Sequence, residues 1–203
     1  MKLRKCLWIL PIALIAIVLL IAQVRYRIGR SVETEMEIPQ LFQFDYTQSM
    51  GFYDGEEKSV ATSGCGATCL SMVITYLTGN ADQTPQTLFQ TAVDSGAYNG
   101  DGLSHETLNA LAESYNVKIE WIPNDSEAIY AAIRSGHPVI AHMGPGIFTQ
   151  GGHYIVLRGL TKDGHVLVND PNSRENSNQT FSMDTLLNQA RNETAFGICS
   201  LAT

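Results

Sequence analysis

Cysteine is scarce in this sequence. Four in 203 residues are too few to staple a small disulfide scaffold. There is no C-x-x-C pair, and Cys65 and Cys69 with one histidine make an incomplete zinc ligand set. Positive charge is scarcer still once the first 30 residues are passed. Six of the 13 lysines and arginines lie in residues 1–30 (Lys2, Arg4, Lys5, Arg25, Arg27, Arg30). Residues 31–203 therefore hold seven cations against 20 acids, a net of −13. A body that acidic excludes a nucleic-acid backbone as partner and hints at basic or neutral substrates. Internal repeats and low-complexity tracts are missing too. With 44% apolar and 16% charged residues, a disordered chain, a collagen and a coiled coil are excluded.

What the sequence does have is one long apolar run. Cys6 to Val24 is 19 residues without a charge, about 28 Å as a helix and close to the roughly 30 Å of bilayer hydrocarbon. A cleaved signal peptide usually has a shorter apolar region and a small-x-small site. The run is therefore expected to be an uncleaved transmembrane anchor, residues 1–30, followed by a tether, residues 31–40. The remaining domain, residues 41–203, is expected outside the cytoplasm, because long domains cross the membrane largely regardless of charge.

The body changes character midway. Up to residue 60 it reads as tether and irregular loop. Cys65, Cys69, Met72, Val73 and Tyr76 then recur at helical spacing, with Gly79-Asn80 as the stop. Pro85–Ser95, Ser104–Tyr115 and Ser126–Ser135 read as further helices, and Ser104 is an N-cap. Val117–Ile122 alternates like a strand. Pro138–His142, His153–Leu160, His165–Asp170 and Ala195–Leu201 are short runs rich in Val and Ile, interrupted by a helix at Met183–Ala190. Asp163-Gly164 is a hairpin turn. Helices first and antiparallel strands after predict an α+β domain.

Three segments carry chemistry. Cys65 sits in the first turn of its helix, where unpaired N–H groups and the helix dipole favour a thiolate. Gly64 and Gly66 flank it and allow close approach by backbone and substrate. His153 opens an apolar strand after Gly151-Gly152. One hairpin later Asp170 precedes Pro171, which holds its backbone extended. A histidine with a thiol on one nitrogen and a carboxylate on the other is the logic of nucleophilic catalysis. Among the other histidines, His142 ends a strand and could line the cleft. His105, His137 and His165 read as exposed. Gly144-Pro145-Gly146 lacks the lysine and the helix of a phosphate loop.

The segments SGCGATCLSMV, GHPVIAHMGPGIFTQGGHYIVLRG and VLVNDPNSREN resemble the papain-fold bacteriocin double-glycine leader peptidases (cysteine-peptidase family thirty-nine), in their stand-alone peptidase-like branch. The resemblance covers residues 40–200. It implies a papain-like fold and a cysteine peptidase in which Cys65 is the nucleophile, His153 the base and Asp170 the orienting acid. It also implies an oxyanion-hole glutamine some twenty residues before the cysteine. Gln43 and Gln48 are the candidates, and Gln43, Asp45 and Tyr53 match the family's spacing. The leader peptidases are fused to a transporter that brings their substrate. This sequence has one anchor and ends at Thr203, a departure that leaves the natural substrate open. No cofactor or metal is expected, and the partner is a peptide or protein substrate. Two other functions fit the same residues: a transamidase using the same triad, and a papain-like module that grips peptide or cell-wall material without turnover.

Overall fold

The computed structural model describes residues 14–21, 23 and 31–202. The expected membrane span over Cys6–Val24 lies largely outside these residues. Its described part, residues 14–21 and 23, is helical with exposed side chains, from Leu14 at 63% to Ile21 at 50%. No helix among the described residues is long and apolar enough to cross a membrane.

The body is a seven-stranded antiparallel sheet with helices packed against it. The strands are β1 (Val32–Glu35), β4 (Val117–Ile122), β5 (Val139–Met143), β6 (His153–Thr161), β7 (Val166–Asn169), β8 (Thr180–Phe181) and β9 (Phe196–Leu201). The order is β4-β9-β5-β6-β7-β8, and β1 pairs with the far half of β6. A separate hairpin joins β2 (Ser49–Tyr53) to β3 (Glu56–Ser59). The helices are α1 (Val60–Ser63), α2 (Cys65–Thr78), α3 (Pro85–Asp94), α4 (His105–Glu113), α5 (Ser126–Arg134), α6 (Arg174–Ser177) and α7 (Met183–Asn188). The mixed helix-and-strand class read from the sequence is what the chain adopts.

Strand β6 is the axis of the molecule. Eight of its nine residues are buried, Arg158 being the exception. Both α2 and α5 pack on it, which is why its sequence runs almost continuously apolar instead of alternating. Helix α2 is buried from Gly66 to Ile74 without a break, so it lacks the polar stripe of a surface helix. Gly79, in the left-handed region at φ +72°, ends it, where a residue with a Cβ would be strained.

The stretch before residue 60 is more ordered than its polar composition suggests. Val32–Glu35, inside the expected tether, pairs with Gly159–Thr161. Residues 36–46 then strap the end of β7. Asn169 Nδ2 donates to Ile38 O (3.2 Å), Gln40 Nε2 to Asp170 O (3.3 Å) and Gln43 N to Pro171 O (2.8 Å). These partners lie about 130 residues away, so no local pattern announces them.

Candidate active site

Cys65 is placed by a break between two helices. Ser59 and Thr62 form a capping box that starts α1. Gly64 closes α1 and serves as the N-cap of α2, with Cys65 as its first residue. A Cβ on Gly64 would lie 2.5 Å from Val60 Cγ1 and 2.6 Å from Val60 Cα. Glycine is therefore required here by the chain folding back on itself, not by an approaching substrate. Gly66 makes a milder version of the same fit, its missing Cβ 3.3 Å from Tyr154 Cδ2. Cys65 is left half-buried in the wall of a cleft of about 760 Å³.

Strand β6 brings His153 to that wall, 5% exposed. Its Nε2 lies 2.8 Å from Asp170 Oδ1, which leaves Nδ1 for the Cys65 thiol in the same cleft wall. Asp170, 1% exposed, is held by more than the histidine. Oδ1 also accepts from Asn172 N (2.8 Å), and Oδ2 accepts from Asn176 Nδ2 (2.8 Å). Those donors fix the direction in which the carboxylate points. Sequence reasoning did not name Asn172 or Asn176. The DPN turn followed by a Ser173-capped helix is the signal that could have found them.

The electrostatics of the pair follow from this cage. Burial disfavours a charged His153, but the hydrogen bonds and charges of Asp170 and Cys65 outweigh it and push its pKa up to about 10. Burial would likewise raise the Cys65 thiol. The His153 hydrogen bond and charge, aided by the Tyr154 and Gly66 backbone N–H groups, bring it below the ordinary thiol value. Both shifts favour thiolate beside imidazolium. The other cysteines are opposite in character. Cys69 and Cys199 are buried free thiols, and desolvation raises Cys69 well above the ordinary value and Cys199 to about 12.

The two glutamines separate cleanly. Gln48 is exposed, whereas Gln43 is 5% exposed and lines the cleft with Cys65. Gln43 Nε2 donates to Ala61 O (3.0 Å), which uses one of the amide's two N–H groups. Its Oε1 is buried with no hydrogen-bond partner among the described residues, the kind of exception that native structures concentrate at working sites.

The histidines needed revision. His142 does line the cleft, as the strand-end position allowed, but so does His105, which the sequence reading left exposed. His105 stacks on Trp121 at 3.5 Å and its Nε2 lies 3.2 Å from His142 Nδ1. That contact joins residues 37 apart, and nothing around His105 in the sequence signals it. Among the described residues no group of three or more His, Cys, Asp or Glu is placed to hold a metal.

A half-open thiol at a helix start, an imidazole against it and a caged carboxylate behind that imidazole form the constellation of a cysteine peptidase. The chain belongs to the Peptidase_C39 like family, whose model matches residues 36–196. No curated protein matches it. Among solved structures it is similar to a double glycine motif protease from an AMS/PCAT transporter in complex with its leader peptide, at 16% identity and TM-score 0.54, covering 85% of this chain and 97% of that one. A structure described as a C39-like peptidase from Bacillus anthracis matches at 14% identity and TM-score 0.58, covering 85% and 98%. A fragment of prointerpain A from Prevotella intermedia matches at 13% identity and TM-score 0.52, covering 83% and 72%. At these identities the likeness is one of fold.

Proposed function

We propose that this chain is a membrane-anchored thiol peptidase, or related amide hydrolase, working outside the cytoplasm through Cys65, His153, Asp170 and Gln43. One observation carries the reading: the Cys65 thiol and the His153 imidazole share the cleft wall, and the buried Asp170 carboxylate is hydrogen-bonded to that imidazole from behind. A peptide as substrate is supported by the similar protease that holds its leader peptide.

The chemistry follows from the charges. The Cys65 thiolate attacks the scissile carbonyl and forms an S–C bond. The developing oxyanion takes hydrogen bonds from the Cys65 backbone N–H and the remaining Gln43 amide N–H. The His153 imidazolium gives its proton to the leaving amine as the C–N bond breaks, leaving an acyl-thioester. Water then attacks that carbonyl while His153 takes its proton. The C–S bond breaks, and thiolate and imidazolium are restored. Asp170 holds the ring so that Nδ1 faces the sulfur, and it stabilises the imidazolium without accepting its proton. Comparing the proteome-wide cleavage products of wild type and Cys65→Ala tests the reading. Identical product sets would sink it.

Gln43 provides a finer test. Gln43→Ala is expected to cost roughly 10²–10³ in turnover if it serves the oxyanion. It should hardly change alkylation of Cys65 by iodoacetamide, because alkylation forms no tetrahedral oxyanion. Equal slowing of both reactions, or this pattern in Gln48→Ala instead, would show the wrong glutamine had been chosen.

The anchor rests on the apolar run Cys6–Val24 and on the exposure of its described part, an apolar surface that water does not favour. Alkaline phosphatase fused after Thr203 should be active in bacterial cells, since that enzyme needs the oxidising side of the membrane. An inactive but well-expressed fusion would reverse the orientation.

A further inference from the structure

The acids of this domain have claimed nearly all of its cations. Of the seven in residues 31–203, Lys58, Lys118, Arg134, Arg158 and Arg174 each lie within 3.9 Å of a carboxylate. Among the described residues Lys162 and Arg191 do not. Lys162 is exposed in the hairpin between β6 and β7. Arg191 lines the catalytic cleft, where Asp101 is the one carboxylate among the lining residues. An arginine without an acid is unremarkable in a basic protein; in a body of −13 it is the exception.

Arg191 is exposed, and its backbone is held in place. Its backbone N–H donates to His142 O (2.9 Å), and the preceding Ala190 forms a bridge to Met143. Its Nη1 donates to Gly151 O (3.2 Å), which fixes the guanidinium and leaves other N–H groups of the fork uncommitted. The residue beside it, Gly152, does not have a left-handed φ, so its backbone does not demand glycine. Its missing Cβ would stand 3.3 Å from His142 Nε2 and 3.9 Å from Arg191 Nε. The position immediately before His153 is thus closely approached by an imidazole nitrogen and a guanidinium.

His142 is held beside that position. Its ring stacks on Tyr154 at 4.1 Å, and its Nδ1 is taken by His105 Nε2. Burial, then the charges of His105 and Arg191, hold His142 down to about 4, and burial also lowers His105. Both rings are neutral at working pH, so each carries one N–H. One proton lies between His105 Nε2 and His142 Nδ1, and the tautomer decides which ring carries it.

We propose that the Arg191 guanidinium, in the cleft wall beside Gly151 and His153, forms a carboxylate subsite, so that this peptidase selects substrates bearing a carboxylate beside the scissile bond. The proposal rests on the peptidase reading above. It runs against the net charge of the domain, which taken alone favours basic or neutral peptides. A planar carboxylate suits a planar fork. The carboxylate can be an acidic side chain or the free C-terminus of a short peptide, and the two sources are separable.

The test compares peptides differing only in Glu against Gln at the positions flanking the cleaved bond, and in a free against an amidated C-terminus. Wild type should prefer the carboxylate member of one pair by about tenfold or more in kcat/KM, the worth of a charge-assisted hydrogen bond. Preference in the first pair identifies a side chain, in the second a C-terminus. Arg191→Ala should bring the ratio to about one, and Arg191→Glu should shift preference to Lys peptides. Lys162→Ala, which removes the other unpaired cation, should leave the ratio intact. A ratio that survives Arg191→Ala, or was never there, overturns the subsite. The same peptide pairs are also to be made as bromoacetyl derivatives that alkylate Cys65, which needs no turnover. Equal labelling rates for acid and amide overturn the subsite alone. Slow labelling of Cys65 by every reagent at pH 6 overturns the peptidase reading instead.

Discussion

Cys65→Ala should abolish turnover, by roughly 10⁴-fold or more, as expected when the nucleophile of a concerted unit is removed. The protein should remain folded, because Cys65 is half-buried at a helix start and its loss leaves little cavity. Cys69→Ser is the contrasting change. Cys69 lies one turn further along α2 and is fully buried, and a hydroxyl placed there without a partner costs roughly 1–3 kcal/mol. Its effect should therefore appear as a lower midpoint in thermal or urea unfolding, with activity per folded molecule retained. Peptide turnover together with an unfolding curve for each variant checks both halves. Equal loss of activity in two folded variants would undo the distinction between the cysteines.

His153→Ala should slow alkylation of Cys65 at pH 6 by about 10²-fold. A thiol of ordinary pKa near 8.5 is only about 0.3% thiolate at that pH, and the greater nucleophilicity of the more basic sulfur recovers part of the loss. The wild-type thiolate, held by the imidazolium and the helix end, should label rapidly there. Turnover has two limits, and their signs can be stated. As pH falls, the thiolate is protonated, and this limb should lie below the ordinary thiol value because Cys65 is lowered. As pH rises towards about 10, His153 loses the proton that the leaving amine requires, so activity declines on that side. Both apparent values belong to the pair, not to either residue. Asp170→Asn keeps the size of the side chain but no longer favours the imidazolium, so its labelling loss should be intermediate. Wild-type labelling that rises only near the ordinary thiol value, or unchanged labelling in His153→Ala, would remove the ion pair from the mechanism.

Much of this was legible before any coordinates. The α2 helix, the β6 and β7 strands and the hairpin at Asp163-Gly164 were readable because their signals are local: helical spacing, runs of Val and Ile, and a turn that takes glycine at positive φ. The order of Cys65, His153 and Asp170 along the chain was legible for the same reason. What was not legible is long-range. β1 is a polar VETE segment that becomes a strand only because β6 offers it an edge, so tertiary pairing overrides weak propensity. The hairpin Ser49–Ser59 has only Met50 and Ser59 buried, too little for an apolar alternation to appear. His105 reached the cleft through Trp121 and His142, on two different strands. Spacing favoured Gln43 over Gln48, and the burial of Gln43 beside Cys65 was the part no spacing reports.

The strap formed by residues 36–46 has a further consequence for how this molecule comes into being. A chain made from its N-terminus presents Gln43 and Cys65 long before His153 and Asp170 exist. Gln40 and Gln43 reach their hydrogen-bond partners at residues 170 and 171 only after the intervening sheet has closed, and loop-closure entropy makes contacts of such span late events. Until then Cys65 lacks the His153 hydrogen bond and charge that lower its pKa. On the proposed reading, the nascent domain therefore carries an ordinary thiol, and its nucleophile is activated only as its last strands dock.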